Sequence, residues 1–297
     1  MAKVDAASMA ILEGVGAVFR DPVALADGRR AGARSDGERV RFDRDRVREL
    51  IGSIPSSVRW HARDPEKSVT IGDGHTVFVP MTGAPDLRDL DDVRRLPTLD
   101  DPADFHRLAH LCPVLHSSAH HIVEPMDHPV PWRHLRITYS SMVNSDKTFM
   151  GMTTSGRNGE DVTAMCTILF GAEFVEGNAV TVGNCDGNSP LVWDPTMLGA
   201  MRAFVRRRRP VPCSPFVLGG ANTPASTVPA VAQLNAEALS ALAYTQVVSS
   251  ARSSCRSSST TRRSSSGRPR GRGRRRVGSR TAGSRFSPRD LEDHSSV

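Results

Sequence analysis

A cluster of polar side chains lies in one short stretch near the middle of the chain. Asn184, Asp186, Asn188 and Ser189 directly follow the apolar run 179–182. Amide and hydroxyl groups hydrogen-bond a carboxylate or a bound water, and an aspartate offers the opposite charge to a cation. The stretch therefore indicates a binding site for a small polar or cationic molecule. The alternative is a turn that these short side chains hold together among themselves.

Three further side chains have chemistry that suits such a site. Trp132 and Trp193 can contact a cation through the faces of their indole rings, and Thr223 carries a hydroxyl in another long polar loop. For Trp193 the alternative is packing against its own helix. The pattern identifies no catalytic residue. The predicted substrate-binding residues are Asn184, Asp186, Asn188, Ser189, Trp193, Thr223 and Trp132.

The histidines and cysteines do not form a metal-binding pattern. His116 and His120 are four residues apart, but Pro113 disfavours the helix that would align them, and no carboxylate has a suitable spacing. The five cysteines are odd in number, never closer than 19 residues, and include no CxxC pair. We predict no metal site and no disulfide framework, with reduced thiols as in a cytoplasmic protein.

Alternating strands and helices must position these side chains. Between residues 101 and 248, four strand-then-helix units follow one another at about 30 residues each. This order predicts a parallel sheet with right-handed crossovers, either an open doubly wound sheet or part of a (β/α)8 barrel. No GxGxxG motif supports a dinucleotide-binding sheet. The strand-to-helix loops are long and polar, as in barrel enzymes, so we predict a partial (β/α)8 TIM-type barrel within an α/β fold.

Several local signals predict individual elements. Asp43 and Asn158 precede amphipathic segments and can cap their helices. Apolar spacing places Leu108 and Tyr139 on the buried faces of two further helices. A fifth strand is due at 247–248, after a helix that ends at about residue 246.

The first hundred residues have a mixed pattern. An opening helix is predicted over 7–19. The runs 68–71 and 75–79 flank Gly72-Asp73-Gly74, which is typical of a β-hairpin. The predicted organisation is an N-terminal helical and hairpin cap at 1–100, the first half of a barrel at 101–248 and a disordered Arg/Ser-rich tail at 249–297.

The charge of the chain is concentrated in its tail. The 297 residues include 39 Lys or Arg and 32 Asp or Glu, a net charge of +7. The last 47 residues hold 13 Arg, no Lys and three acidic residues, so residues 1–250 carry a net charge of −3. The body is therefore not a basic protein. Its 38% hydrophobic residues exclude a collagen-like or wholly disordered chain.

The Arg/Ser-rich tail has three interpretations. It is a basic arm that binds nucleic acid, a solvated extension, or an out-of-frame translation that cuts a larger domain short. The body has three Lys against many Arg, which suggests GC-rich coding DNA, and the switch to Arg and Ser comes where a fifth strand is due. These observations favour the frameshift hypothesis, under which the product is truncated and inactive.

Targeting signals are absent from the pattern. No stretch approaches the roughly 18 to 20 apolar residues that span a bilayer. The first residues carry one Lys followed by an Asp and a Glu, unlike a secretory signal. We predict a cytoplasmic protein with no membrane contact, and expect the folded chain to form a homo-oligomer.

Short motifs between residues 183 and 246 occur together in one known family. The chain resembles the trimethylamine methyltransferase family, which includes methyltransferases for glycine betaine and related quaternary amines. The likeness extends over about residues 8–246. Its motifs are Asn188-Ser189-Pro190-Leu191, Asp194 with Met197 and Leu198, Gly220-Ala221 with Pro224, and a helix carrying Gln233, Glu237 and Gln246.

The resemblance implies a barrel enzyme that demethylates a methylamine or a glycine betaine-like quaternary amine and passes the methyl group to a corrinoid protein. A quaternary ammonium already carries its positive charge, so its methyl group can leave to Co(I) without a general acid. The chain is then expected to bind no cofactor directly, because the methyl acceptor is the cobalamin of the partner corrinoid protein. The founding members use pyrrolysine, which this sequence lacks, and the corresponding position falls after Gln246.

The second function class is a non-enzymatic protein that binds nucleic acid through its tail. The tail contains one aromatic residue, Phe286, so base stacking is not expected. Such binding would be nonspecific and steeply dependent on salt.

Overall fold

A computed structural model describes residues 2–260, with side chains through residue 250. Met1–Ser258 form one compact unit, and the other unit, Ser259–Val297, lies almost wholly outside the described residues. The predicted tail disorder and nucleic-acid binding fall mainly on residues that are not described. The helices are α1 (Ala2–Ala10), α2 (Pro22–Arg30), α3 (Arg44–Gly52), α4 (Asp100–Leu111), α5 (Val130–Asn144), α6 (Gly156–Phe170), α7 (Ala172–Gly177), α8 (Pro195–Arg206) and α9 (Thr227–Thr260).

Short strands lie between these helices along the chain, so the compact unit Met1–Ser258 is a mixed α/β structure with small sheets. None of the helices within residues 2–260 is long and apolar enough to cross a membrane. The strands are β1 (Ala17–Phe19), β2 (Arg34–Asp36), β3 (Arg39–Arg41), β4 (Ser57–Trp60), β5 (Val69–Gly72), β6 (Leu87–Arg88), β7 (Arg94–Arg95), β8 (Phe149–Met150), β9 (Thr181–Val182) and β10 (Val192–Trp193).

Side-chain caps fix where several helices begin. Asp43 accepts hydrogen bonds from the backbone N–H groups of Asp45 and Arg46, so its predicted role as the cap of α3 is confirmed. The predicted cap of α6, Asn158, is wrong. Ser155 is the cap, and its hydroxyl accepts from the Asn158 N–H at 3.0 Å, because the helix begins three residues earlier than its acidic first turn suggested.

The predicted opening helix is interrupted. α1 ends at Ala10, a π-helical turn covers Ile11–Val15, and β1 follows. Gly16 separates the turn from the strand with φ at 76°, and a Cβ there would come within 2.3 Å of the Val40 carbonyl oxygen. The close approach of β3 therefore requires glycine at this position.

The N-terminal strands share a sheet with a strand from the second half of the chain. The order in this sheet is β10-β1-β3-β2, and Val18 and Phe19 pair in parallel with Val192 and Trp193. One hydrophobic cluster accordingly takes buried residues from both regions. Its members include Leu12, Phe19, Val47, Trp193, Leu198, Met201 and Tyr244.

The predicted hairpin has a different partner. β5 pairs antiparallel with β4, which precedes it, while the Gly72-Asp73-Gly74 turn is followed only by a bridge from Gly72 to His75. The run 75–79 instead leaves β5, because the Phe78 backbone bonds both the Nδ1 and the N–H of His116. The N-terminal region thus contains a hairpin, formed by 57–60 and 69–72.

Four extended segments lie side by side in the order of the sequence. The first contains Ser117, the second Thr148 and β8, the third β9 and Cys185, and the fourth Cys213. Ser117 pairs in parallel with Thr148, β8 pairs in parallel with β9, and Cys185 pairs in parallel with Cys213. Helix α5 lies between the first two segments, α6 and α7 between the next two, and α8 between the last two. No closed barrel is formed within residues 2–260. The carboxyl ends of all four segments meet at one edge, which we call the loop edge.

Helix α9 follows the fourth segment and is longer than its sequence pattern suggested. It continues through Val247 and Val248 to Thr260, so the fifth strand predicted at 247–248 is not present. Val247 and Val248 are buried in the hydrophobic cluster as part of this helix. Their contacts in the cluster, rather than strand pairing, account for their apolar character.

Candidate active site

The loop that follows β9 carries the main candidate residues. Asn184 donates from Nδ2 to Oδ1 of Asp186 at 2.9 Å, and its own Oδ1 accepts from the Ser214 hydroxyl at 2.7 Å. The Asn184 carbonyl oxygen also accepts from the Thr153 hydroxyl at 2.7 Å. Side chains from the second, third and fourth segments therefore converge on Asn184. This places Asp186 at the loop edge with a fixed hydrogen-bond donor.

Asp186 keeps an exposed side chain although the surrounding loops partly desolvate it. This desolvation raises the pKa of its carboxyl group above the usual value, while the Asn184 hydrogen bond and the nearby His121 act in the opposite direction. His121 lies in the loop after the first segment, and burial lowers its pKa. At this place the carboxyl group of Asp186 and the imidazole of His121 thus lie near each other, and for both groups burial acts in favour of the neutral form.

Asn188 and Ser189, predicted together with Asn184 and Asp186, bond to the supporting helices. Asn188 donates to Oδ2 of Asp194 at 2.6 Å, and Asp194 caps α8 by accepting from the Met197 N–H at 2.9 Å. Ser189 donates to Oε2 of Glu237 in α9 at 2.5 Å. These two residues hold the end of the loop, whereas Asn184 and Asp186 lie at its beginning.

The two tryptophans predicted to contact a cation differ in their exposure. Trp193 is fully buried, its indole N–H donates to the Ser240 hydroxyl at 3.0 Å, and its ring lies against Gly187. This arrangement leaves no indole face open to an ammonium group. Trp132 is 57% exposed near the start of α5, a helix that follows the loop edge.

Thr223 lies in the loop after the fourth segment and is buried. Its hydroxyl donates to the Leu218 carbonyl oxygen at 3.2 Å within the same loop. The Asn222 side chain closes this loop further by bonding both Leu218 and Phe216. Thr223 therefore acts on the shape of the fourth loop.

The two histidines considered for metal binding lie in an extended stretch. The Nδ1 atom of His116 accepts from the Phe78 N–H at 3.0 Å. His120 is buried, and its Nε2 hydrogen-bonds the Thr138 hydroxyl at 2.9 Å. The groups His, Cys, Asp and Glu form no cluster of three suited to a metal ion within the described part of the chain.

Sequence reasoning missed three groups at the loop edge: His121, Thr153 and Ser214. Each lies directly after or within an extended segment, and their positions follow from the pairing of that segment with its neighbour. The available signal was their place at the ends of the apolar runs. A separate apolar cavity of about 40 Å³, lined by residues such as Phe19, Phe42 and Leu50, lies among the N-terminal elements and α9.

The fold and this edge define a class: a mixed α/β chain whose polar strand-to-helix loops present a carboxylate at one edge. The sequence profile of the trimethylamine methyltransferase (MTTB) family matches residues 1–263. The chain is also 36% identical over 247 residues to a glycine betaine methyltransferase of Desulfitobacterium hafniense (strain Y51). The chain therefore belongs to the trimethylamine methyltransferase family, as its motifs indicated.

This chain aligns with only part of the glycine betaine methyltransferase. The aligned region covers 83% of this chain and 52% of the glycine betaine methyltransferase. The chain thus spans about half the length of the relative that it matches.

Proposed function

We propose that this chain binds a quaternary amine of the glycine betaine type and takes part in transferring one of its methyl groups to a corrinoid protein. The observation that carries the proposal is the Asp186 carboxylate, held by Asn184 at the loop edge of a chain from this family. The nucleic-acid alternative depends on the tail, and the family membership does not favour it.

We further propose that the four parallel segments are the first half of a (β/α)8 barrel. Their support is that each segment pairs with its successor in the sequence, with helices between them. In such barrels the strand-to-helix loops form the site, which agrees with the position of Asp186. The remaining units would have to come from residues outside those described or from another chain.

The charge of Asp186 suits a substrate whose cation cannot lose a proton. A trimethylammonium group offers no N–H donor, so its recognition depends on electrostatic attraction and on contact with its methyl groups. Asn184 keeps the carboxylate oriented through the hydrogen bond at Oδ1. Because desolvation raises the pKa of Asp186, protonation would remove this attraction at a higher pH than for a fully solvated aspartate.

The methyl acceptor in this proposal is a cobalamin held by a separate corrinoid protein. When bound, the reduced cobalt supplies the electron pair that takes the methyl group, and the amine departs as a neutral tertiary amine. The exposed position of Asp186 fits this arrangement, since a ligand held there stays within reach of a partner. We assign this chain the tasks of binding and orienting the amine.

Titration calorimetry of the full chain with glycine betaine tests the proposal. We expect saturable binding, weakened about tenfold in Asp186→Asn, which removes the charge and keeps an oxygen acceptor for Asn184; tenfold corresponds to about 1.4 kcal/mol. Asp36→Asn makes the same chemical change at an exposed residue of β2 and should bind as the unmodified chain does. Equal affinity in all three proteins would contradict the role of Asp186, and no binding to the unmodified chain would contradict the substrate class.

A further inference from the structure

A buried glutamate lies beneath the candidate site. Glu237 in α9 is 1% exposed. Its Oε2 accepts from the Ser189 hydroxyl at 2.5 Å, and its Oε1 accepts from the Leu191 backbone N–H at 2.8 Å and from Nε2 of Gln233 at 2.9 Å. Both carboxylate oxygens are therefore engaged, and two of the three donors belong to the loop that carries Asp186.

Gln233 extends this contact to a second loop. Its Nε2 also donates to the Asn222 carbonyl oxygen at 3.0 Å, in the loop after the fourth segment. One turn further along α9, the Ser240 hydroxyl accepts from the Trp193 indole. A single face of α9 thus bonds the end of the loop after the third segment, which we call the third loop, and the backbone of the loop after the fourth segment, the fourth loop.

The chemistry of this contact favours a positioning role over a purely stabilising one. Burying a carboxylate costs solvation free energy that an apolar side chain would not, and hydrogen bonds to several donors offset that cost only in one geometry. Apolar packing can tolerate a shift of the loop along the helix, whereas a carboxylate that accepts from both Ser189 and Leu191 cannot. The contact therefore specifies the register of the loop against α9.

We propose that Glu237 and Gln233 are positioning residues that hold the third and fourth loops in the arrangement that presents Asn184 and Asp186 to the amine. The identity of the ligand rests on the proposed function; the positioning of the loops does not. Glu237 itself is buried and bonded to the loop backbone, so it acts on the ligand through the loop.

Hydrogen exchange measured by mass spectrometry on the full chain tests the positioning directly. In Glu237→Ala, the peptide covering 186–192 should exchange at least about tenfold faster, because the Leu191 N–H loses its acceptor. Glu237→Gln keeps an oxygen acceptor and should retain most of the protection. Glu173→Gln, an exposed residue of α7, is the matched control and should leave this peptide unchanged. Unchanged exchange in Glu237→Ala would overturn the proposal.

Two variants keep the test decisive if Glu237→Ala does not fold, as judged by circular dichroism. Gln233→Ala removes the donor to the Asn222 carbonyl oxygen and to Oε1 of Glu237, and it should speed exchange in the peptide 217–226. Ser189→Ala removes only one donor and should speed exchange in 186–192. If both variants fold and exchange as the unmodified chain does, the positioning role is wrong.

Calorimetry with glycine betaine links the positioning to the site. We expect the dissociation constant to rise about tenfold in Gln233→Ala, with Glu237→Gln closer to the unmodified chain. If the loops loosen but the affinity stays constant, Glu237 and Gln233 do not position the ligand site. If the unmodified chain binds no glycine betaine, the proposed function fails, while the exchange data still decide whether these residues hold the loops.

Discussion

The guanidinium group of Arg202 in α8 donates to the carboxylate of Asp21, the cap of α2, at 2.7 Å. Both side chains are nearly buried, and Arg202 also donates to the Tyr244 hydroxyl in α9 at 3.0 Å. Tyr244 in turn lies 3.4 Å from Oδ2 of Asp27. This polar network joins the N-terminal region to the last two helices through an otherwise apolar cluster.

Removal of Arg202 should destabilise the fold strongly. Arg202→Met leaves Asp21 buried without its ion pair, and we expect the free energy of unfolding to fall by about 3 kcal/mol in urea denaturation. Arg46→Met breaks the exposed pair between Arg46 and Glu49 and should cost less than about 1 kcal/mol. If the free energy of unfolding falls by a similar amount in the two variants, the buried network stabilises the fold no more than the exposed ion pair does.

The same pair gives a dependence on acid pH. Burial acts to raise the pKa of Asp21, but the hydrogen bonds from Arg202 and Ala24 outweigh it and the net shift is downward. An aspartate in the unfolded chain has a pKa of about 3.9. When the pKa in the folded chain is lower than this, the ionised carboxylate stabilises the fold at every pH above about 3.9. The stabilisation disappears as the pH falls through the pKa of the folded chain. The stability difference between the unmodified chain and Arg202→Met should therefore shrink below about pH 4.

A methyl group on Gly183 should be poorly tolerated. A Cβ at this position would lie 2.7 Å from two ring carbons of Phe204, because α8 packs directly on the third segment. We expect Gly183→Ala to lower the free energy of unfolding by about 1–3 kcal/mol through overpacking. Gly52→Ala, where nothing lies within 4 Å, should be neutral or slightly stabilising. Phe204→Leu combined with Gly183→Ala should recover part of the loss.

Sequence patterns predicted those elements that form through interactions between residues close together in the sequence. The cap at Asp43 and the apolar face of α8 depend on residues within a few positions of one another. The buried faces of α4 and α5 were predicted less well, since Leu108 is 61% exposed and Tyr139 is 57% exposed. Polar residues such as His106 and Thr138 share those faces with apolar ones.

The reason is a set of hydrogen bonds between distant residues. His106 of α4 bonds Ser140 at 3.0 Å and the His120 carbonyl oxygen at 2.7 Å. Thr138 of α5 bonds His120. Apolar periodicity cannot reveal these contacts, because each polar group is buried only when its partner is present. The bonds of Glu237 to Ser189 and Leu191 were outside local prediction for the same reason.

These buried histidines should make the fold sensitive to mild acid. Burial lowers the pKa of His106 and lowers that of His120 well below its usual range. Below about pH 6.5 the unfolded chain takes up protons that the folded chain does not, so stability falls with decreasing pH by up to about 1.4 kcal/mol per pH unit for each histidine. Urea denaturation at pH 7.5, 6.5 and 5.5 measures this slope.

A substitution can show whether His106 causes this dependence of stability on pH. His106→Gln keeps a hydrogen-bonding side chain that does not titrate, and its stability should depend less on pH in this range. His75→Gln, in an exposed turn, should keep the original slope. A slope that is the same in His106→Gln and in the unmodified chain would refute the contribution of His106.

Tryptophan emission can separate the two indoles that were cage candidates. Trp60 and Trp193 are 1% and 0% exposed, whereas Trp132 is 57% exposed. We expect Trp132→Phe to abolish most of the acrylamide quenching of the full chain, and Trp193→Phe to leave it nearly unchanged. Glycine betaine should not shift the emission of Trp193. A shift that is lost in Trp193→Phe would place this indole at the ligand after all.

The parallel pairing of β1 with β10 has a consequence for synthesis of the chain. The four segments of the loop edge each pair with the next in sequence, so they can assemble one after another as the polypeptide leaves the ribosome. β1 cannot complete its sheet in this way, because Val18 must wait for Val192. Ser8 of α1 waits longer still, for the Ala232 carbonyl oxygen of α9. During translation one edge of β1 therefore stays open until β10 has been made, and that interval is when it can pair with a neighbouring nascent chain.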